Sequence, residues 1–317
     1  MKRIAFKNGH VTIAAHLHVP DDFDPAGRYA AVVLATPGSS VKEQVGAIYA
    51  SQLAARGFVA LTFDPTFQGE SGGEPRDLED PAMRVEDLRC AIDHLTTLPF
   101  VDIERLGLLG ICAGGGYAIA AALTEHRIQA VGTVVGTDIG RAFRRMQSKD
   151  AIRRTLDDVG RQRTAEARGE ALRRDPWIPD SLAAAHAAGI EDPDTLAAVA
   201  FYREPPYQHP NSSNRLLFTS FGRILGFDSV HLVPELLTQP LQVIVGGRRG
   251  TTFQYEEGET LFERAPTQKD FYVIDGAGHY DLYHVPAYVD QAVDRLASFY
   301  TAHLAPQTAP PQAVDSA

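Results

Sequence analysis

Residues 105–126 read as an apolar strand, a glycine turn and an Ala-rich helix, and this junction constrains the fold more than any other part of the chain. Leu106-Gly-Leu-Leu109 runs into Gly110-Ile-Cys112-Ala-Gly114, and Gly115-Gly-Tyr-Ala118 follows without a loop. A strand that turns at once into a helix needs glycine on both sides of the apex, because the backbones there pass too close for a side chain. The apex residue is pushed out of the turn, beneath the first amides of the helix. Cys112 is that residue, and the positive end of the helix dipole favours its thiolate over its thiol. It is the candidate nucleophile.

A second string, Gly69-Glu-Ser71-Gly-Gly73, has the same spacing with a serine. Asp64-Pro-Thr-Phe-Gln68 separates it from the strand at 58–63, and a polar loop with two prolines follows instead of a helix. A motif without its strand and helix reads as a loop. Cys90 lies on an apolar face with Val85, Leu88, Ile92 and Leu95 at helical spacing, and reads as core.

Strands and helices alternate on either side of the junction. Residues 2–7 and 11–19 form a hairpin signal around Asn8-Gly9. Runs at 29–35, 58–63, 105–109 and 129–136 read as strands, with helices ending near Arg56 and over 82–97 and about 115–126. The run at 29–35 is continuously apolar, as for a strand buried on both faces. A strand at 241–245, a helix near 255–264, a strand at 271–274 and a helix at 286–303 close the pattern. Such alternation predicts an α/β fold with a mostly parallel, doubly wound sheet. Between about 138 and 235 the pattern gives way to helical, charged and proline-broken sequence with no clear strand, the expectation for an inserted helical cap. The division is therefore a core of 1–137 and 236–304, a cap of 138–235, and a disordered tail of 305–317 rich in Pro, Ala and Gln.

The 317 residues carry a net charge of −10, which disfavours nucleic acid as a partner. No run approaches the ~18 apolar residues of a membrane span, and residues 1–10 show no apolar leader, so a cytoplasmic protein is expected. Two cysteines in different settings argue against a disulfide framework or a metal cluster. Neither a metal nor an organic cofactor is expected.

A cysteine nucleophile needs a base. His279 follows the last strand in Asp275-Gly-Ala-Gly-His279, where small residues let the loop reach back over the glycine turn. A carboxylate that orients the histidine is expected after the preceding strand, but Gly246-Gly-Arg-Arg-Gly250 has none, and Gly250 stands about where it belongs. Asp138, at the carboxyl end of the strand at 129–136, is the preferred substitute. Glu257 is the alternative, and a Cys–His pair without an acid is a third arrangement. The amides of Ala113 and Ser39 are the expected oxyanion donors. Arg248 and Arg249 are placed near the mouth, free for a substrate carboxylate or solvated.

The segments Gly-Ile-Cys112-Ala-Gly-Gly-Gly-Tyr and Gly-Ala-Gly-His279-Tyr-Asp-Leu-Tyr resemble the dienelactone hydrolase group of α/β-hydrolases. Pro37-Gly-Ser-Ser-Val-Lys-Glu-Gln44 and the stretch at 64–76 are similar to its larger, capped relatives. The resemblance covers most of 1–137 and 236–303, and implies a Cys–His–Asp triad acting on esters, lactones or thioesters. Some similar proteins transfer acyl or polyketide groups. The chain departs from the pattern at the missing acid. It also lacks a clear match to the glutamate that faces the cysteine in small dienelactone hydrolases; Glu43 is nearby but at a helix start. The expectation is a cysteine-dependent hydrolase working through a thioester acyl-enzyme. The alternatives are an acyltransferase or polyketide-releasing enzyme with the same site, and a non-catalytic binding protein. The expected partners are a small acyl substrate, free or carrier- or CoA-bound, and a second copy in a homodimer.

Overall fold

The structure, a computed structural model, describes residues 1–306. The tail expected from Ala305 thus falls, beyond Pro306, outside the described residues.

β1 (Lys2–Asn8) and β2 (Val11–His18) form the antiparallel hairpin, and β3 (Tyr29–Ala35) coincides with the apolar run. Then come α1 (Val45–Ala54), β4 (Val59–Phe63), α2 (Pro81–Thr96), β5 (Val101–Ile111), α3 (Ala113–Ala122) and β6 (Ile128–Val134). The chain now leaves the sheet for α4 (Ile139–Arg145), α5 (Lys149–Ala167), β7 (Arg174–Pro176), α6 (Leu182–Ala187), α7 (Pro193–Arg203), β8 (Arg215–Leu217), α8 (Phe221–Ile224) and α9 (Val233–Leu236). It returns as β9 (Leu241–Gly246), α10 (Gln254–Arg264), β10 (Lys269–Ile274), the single turn α11 (Asp281–His284) and α12 (Pro286–His303).

Eight strands form one sheet in the order β1-β2-β4-β3-β5-β6-β9-β10. Pairing is antiparallel at β1–β2 and β2–β4 and parallel from β4 through β10. The period-2 alternation of β3 shows why the sheet is covered twice. Ala31, Val33 and Ala35 join the layer holding Leu88 and Ile92 of α2 and Ala118 and Ile119 of α3. Ala30, Val32 and Leu34 join the opposite layer with Tyr49 and Leu53 of α1 and Val293 and Leu296 of α12. Helix starts follow local chemistry: Asp80 caps α2 by accepting from the Ala82 amide at 3.1 Å, and Pro81 fills the first helical position.

The segment between β6 and β9 differs from its expectation in one respect. β7 and β8 pair antiparallel through Arg174–Leu217, Asp175–Leu216 and Pro176–Arg215. Strands of three residues leave too short a period to read from sequence. α5 buries only Val159 along its 19 residues and lies at the surface.

Candidate active site

The glycine turn sits at the carboxyl edge of the sheet, between β5 and α3. Cys112 has φ 54° and ψ −127°, a backbone that an L-residue adopts at a cost on the order of 1–3 kcal/mol. Surrounding bonds hold it there: its amide donates to Val134 O at 3.2 Å, and its carbonyl accepts from Thr137 N at 2.9 Å and Gly115 N at 2.8 Å. Two glycines are obligatory. A Cβ on Gly110 would lie 2.5 Å from Gly114 O, and one on Gly114 would lie 2.0 Å from Ala35 O.

Cys112, Ala113, Ser39 and His279 line one cavity of about 310 Å3. Ser39, with φ 61°, turns the loop after β3 under the cap; its carbonyl accepts from Ser212 Oγ at 2.9 Å. Arg84 steadies the same loop by donating to Pro37 O at 3.2 Å while its buried guanidinium pairs with Glu79 at 2.8 Å. Ser39 and Ala113 thus reach the cavity of Cys112 from two separate elements, and the Ala113 amide lies against the thiol.

His279 is buried in the loop between β10 and α11, with the rings of Tyr280 and Tyr283 packed on it at 4.7 and 5.3 Å. Its Nε2 lies 3.1 Å from the Tyr283 hydroxyl, and its Nδ1 has no hydrogen-bond partner among the described residues. Burial lowers the imidazole pKa to about 3. Burial likewise raises the Cys112 thiol, a rise opposed by the Tyr283 hydroxyl, the Ala113 amide, the Thr137 side chain and the Arg84 charge. The expected lowering of the thiol is corrected accordingly: desolvation is the largest influence on Cys112 and pushes it toward the neutral form.

The expected bond from Asp138 to His279 is also corrected. Asp138 caps α4, accepting from the Arg141 amide at 2.7 Å, and its other oxygen accepts from the Ser229 amide. Both oxygens are committed to holding the cap entry. Glu257 is occupied by the cap arginines, Arg141 Nε at 2.9 Å and Arg145 Nε at 3.2 Å. The carboxylate that does reach the turn after β9 comes from the cap. Asp194, at the start of α7, accepts from the Thr252 amide at 3.2 Å, and a Cβ on Gly250 would stand 2.2 Å from its Oδ2. Sequence reasoning missed Asp194 because it lies 56 positions before Gly250 in a segment without strand periodicity.

Other expectations sort cleanly. Ser71 is buried, donates to Asp64 O at 2.6 Å and accepts from the Ala14 amide at 2.9 Å, so it ties the loop to β2 and is no nucleophile. Cys90 is half-buried against the core, its thiol pushed up to about 11 by burial. Arg248 pairs with Asp281 at 2.7 Å, and Arg249 pairs with Glu256 at 2.8 Å over the Tyr255 ring; neither lines the cavity. Glu43 pairs with Lys42 at 2.7 Å and stays outside the cavity too.

The cap supplies much of the cavity wall through Phe143, Met146, Trp177, Ile178 and Tyr202. Among the described residues no carboxylate, lysine or arginine lines it. Among the described residues no three His, Cys, Asp or Glu side chains converge to hold a metal ion, and no helix is long and apolar enough to cross a membrane.

Residues 32–298 match the Alpha/beta hydrolase family. The chain belongs to that family. It is an enzyme of the α/β-hydrolase fold, and relatives align along nearly its whole length. The Escherichia coli K12 protein YcjY is 36% identical over 94% of this chain and 97% of its own. The crystal structure of PA2218 from Pseudomonas aeruginosa superposes with a TM-score of 0.85 at 30% identity, covering 95% of this chain and 93% of that one. The polyketide transferase claH of Penicillium crustosum is 28% identical over 80% of this chain and 82% of its own.

Proposed function

We propose that the enzyme cleaves a neutral, apolar acyl ester or thioester through a thioester on Cys112. The observation that carries this reading is the meeting of four residues in one cavity: Cys112, His279, Ser39 and Ala113. In the reaction Sγ bonds to the acyl carbon as its proton leaves toward His279. The two amides receive the developing oxyanion. Collapse breaks the bond to the alcohol or thiol, which takes the proton held by His279. Water, deprotonated by the same imidazole, then releases the acid.

The wall argues for the substrate class. A carboxylate on the acyl group would enter a cavity without a cation to meet it, and a buried unpaired charge costs several kcal/mol or more. Aromatic and aliphatic side chains instead suit a hydrocarbon or polyketide-like acyl chain. The departure from lactone hydrolases at Glu43 points the same way, toward open-chain acyl groups.

Acyl transfer is the second reading. The cap covers the thioester with apolar side chains, which favours an acceptor over bulk water, and a relative carries the name polyketide transferase.

The test is intact-mass spectrometry after mixing the enzyme with a panel of p-nitrophenyl and thiol esters of apolar and carboxylated acids. An adduct on the apolar members, mapped to Cys112 and lost in Cys112→Ala, is expected. Adducts on Ser71 or turnover by Cys112→Ala would defeat the proposal. Adding amine or alcohol acceptors separates the two readings by product: free acid alone rules out transfer.

A further inference from the structure

The Tyr283 hydroxyl neighbours both the thiol and the imidazole. It is 3.1 Å from His279 Nε2 and sits against Cys112 Sγ. No direct hydrogen bond joins Cys112 to His279 among the described residues, and the imidazole Nε2 is instead paired with the Tyr283 hydroxyl. We infer that Tyr283 is a catalytic residue that relays the Cys112 proton to His279. The inference rests on the reading of Cys112 as nucleophile and His279 as base.

Three observations carry it. First, the hydroxyl is held by packing. The Tyr283 ring meets Phe201 edge-on at 5.1 Å, Tyr280 at 5.0 Å and Tyr202 at 6.2 Å. Beneath it, the Tyr49 hydroxyl donates to Leu282 O at 2.6 Å and fixes the turn from which Tyr283 projects. Second, the donor count is right. A phenol has one proton to give and lone pairs to receive. With its O–H on the neutral Nε2, its oxygen faces the S–H. Third, the neighbouring charged side chains do not take the proton, and the Tyr202 hydroxyl beside Tyr283 is neutral and held far above its usual range by burial. Asp138 and Glu257 are committed to cap contacts, and Arg84 never gives up its proton.

The step balances. As Sγ bonds to the acyl carbon, the S–H proton passes to the Tyr283 oxygen while the Tyr283 proton passes to Nε2. The tyrosine ends neutral, the histidine ends as imidazolium, and the sulfur carries the acyl group. The reverse shift delivers the proton to the departing alcohol or thiol. Burial holds the Tyr283 phenol well above its usual range, so the two transfers move together and no tyrosinate stands alone.

Tyr283→Phe keeps the ring and removes only the relay. Tyr300→Phe is the control, because it removes another buried hydroxyl, bonded to Leu108 O and outside the cavity. Two rates are read between pH 6 and 9: alkylation of Cys112 by iodoacetamide, and the burst of p-nitrophenol from p-nitrophenyl hexanoate. Tyr283→Phe should slow both at pH 7 by about tenfold or more, the low end of what general-base assistance supplies. The deficit should narrow as pH rises, because solvent then makes the thiolate directly, and KM should hold within about twofold. Tyr300→Phe should follow wild type. Wild-type rates in Tyr283→Phe, or a deficit constant with pH, overturn the relay. A burst that survives in Cys112→Ala overturns the nucleophile, and the relay with it. A burst lost in Cys112→Ala beside a wild-type Tyr283→Phe removes the relay alone.

Discussion

On the proposed reading His279 works as a neutral base beside Cys112, and the pH dependence of the enzyme should show it. With its pKa lowered to about 3 by burial, it stays neutral as pH falls through 6.5, where an exposed histidine would protonate. The thiol is raised, so it does not ionise on its own near neutrality. The expected profile of kcat/KM is therefore flat to within about twofold from pH 8 to pH 5, with the acid limb below that range. An acid limb centred near 6.5 would show that the imidazole is solvated in the free enzyme. The same scale separates the two glycine-flanked strings. Ser71 and Cys112 carry equal spacing, yet the Ser71 oxygen is spent on Asp64 O and the Ala14 amide, while Cys112 is lifted into the cavity by a strained φ.

Between elements, the cap meets the core at the turn that lacks a carboxylate. Asp192 accepts from Thr251 Oγ1 at 2.9 Å, Asp194 accepts from the Thr252 amide, and Gly250 leaves room for the Asp194 side chain. A methyl at Gly250 displaces that carboxylate and breaks its bond to Thr252. Gly250→Ala should cost about 1 kcal/mol, the worth of one such hydrogen bond, seen as a fall of a few degrees in Tm. Trimming the partner in Gly250→Ala/Asp194→Ala should add less than Asp194→Ala costs alone, because the bond is already lost. Strictly additive losses would mean that Gly250 and Asp194 do not share this contact. The cap also anchors at α4, through Asp138 and through Glu257 with Arg141 and Arg145. Both carboxylates once considered for catalysis serve this joint.

For the molecule as a whole, buried histidines set how it meets acid. His18 is lowered to about 4, His279 to about 3, and His16 and His94 are lowered as well, each chiefly by burial. A base whose folded pKa is depressed lends stability that is fully present above its unfolded value of 6.5 and drains away as pH falls toward the folded one. His18 and His279 each contribute on the order of 2 kcal/mol between pH 7 and 5, since over that range the unfolded chain alone takes up the proton. His18→Gln should lose less stability than wild type between pH 7 and 5 in urea unfolding. Parallel losses in the two proteins would mean that His18 is hydrated in the fold.

What the sequence determined by itself is everything that rests on local periodicity and sterics. The strand at 29–35, the hairpin at Asn8-Gly9 and the glycine turn at Cys112 are legible because period, turn chemistry and backbone clearance are properties of neighbouring residues. The position of His279 was legible too, since small residues before it mark a loop that must close over the turn. Only the tertiary structure decided the partners. Asp138 reads as a catalytic acid at a strand's end, yet its oxygens go to Arg141 and Ser229, a residue 91 positions away. The lowering of the thiol that the helix dipole would favour is opposed by burial, which depends on how the chain packs around Cys112. Tyr283 is one tyrosine among 11 in the chain, and nothing around it in the sequence separates it from the others. Its pairing with His279 and its packing under Phe201 and Tyr202 of α7 arise only in the folded chain, because hydrogen bonds and burial depend on distances that the sequence leaves open.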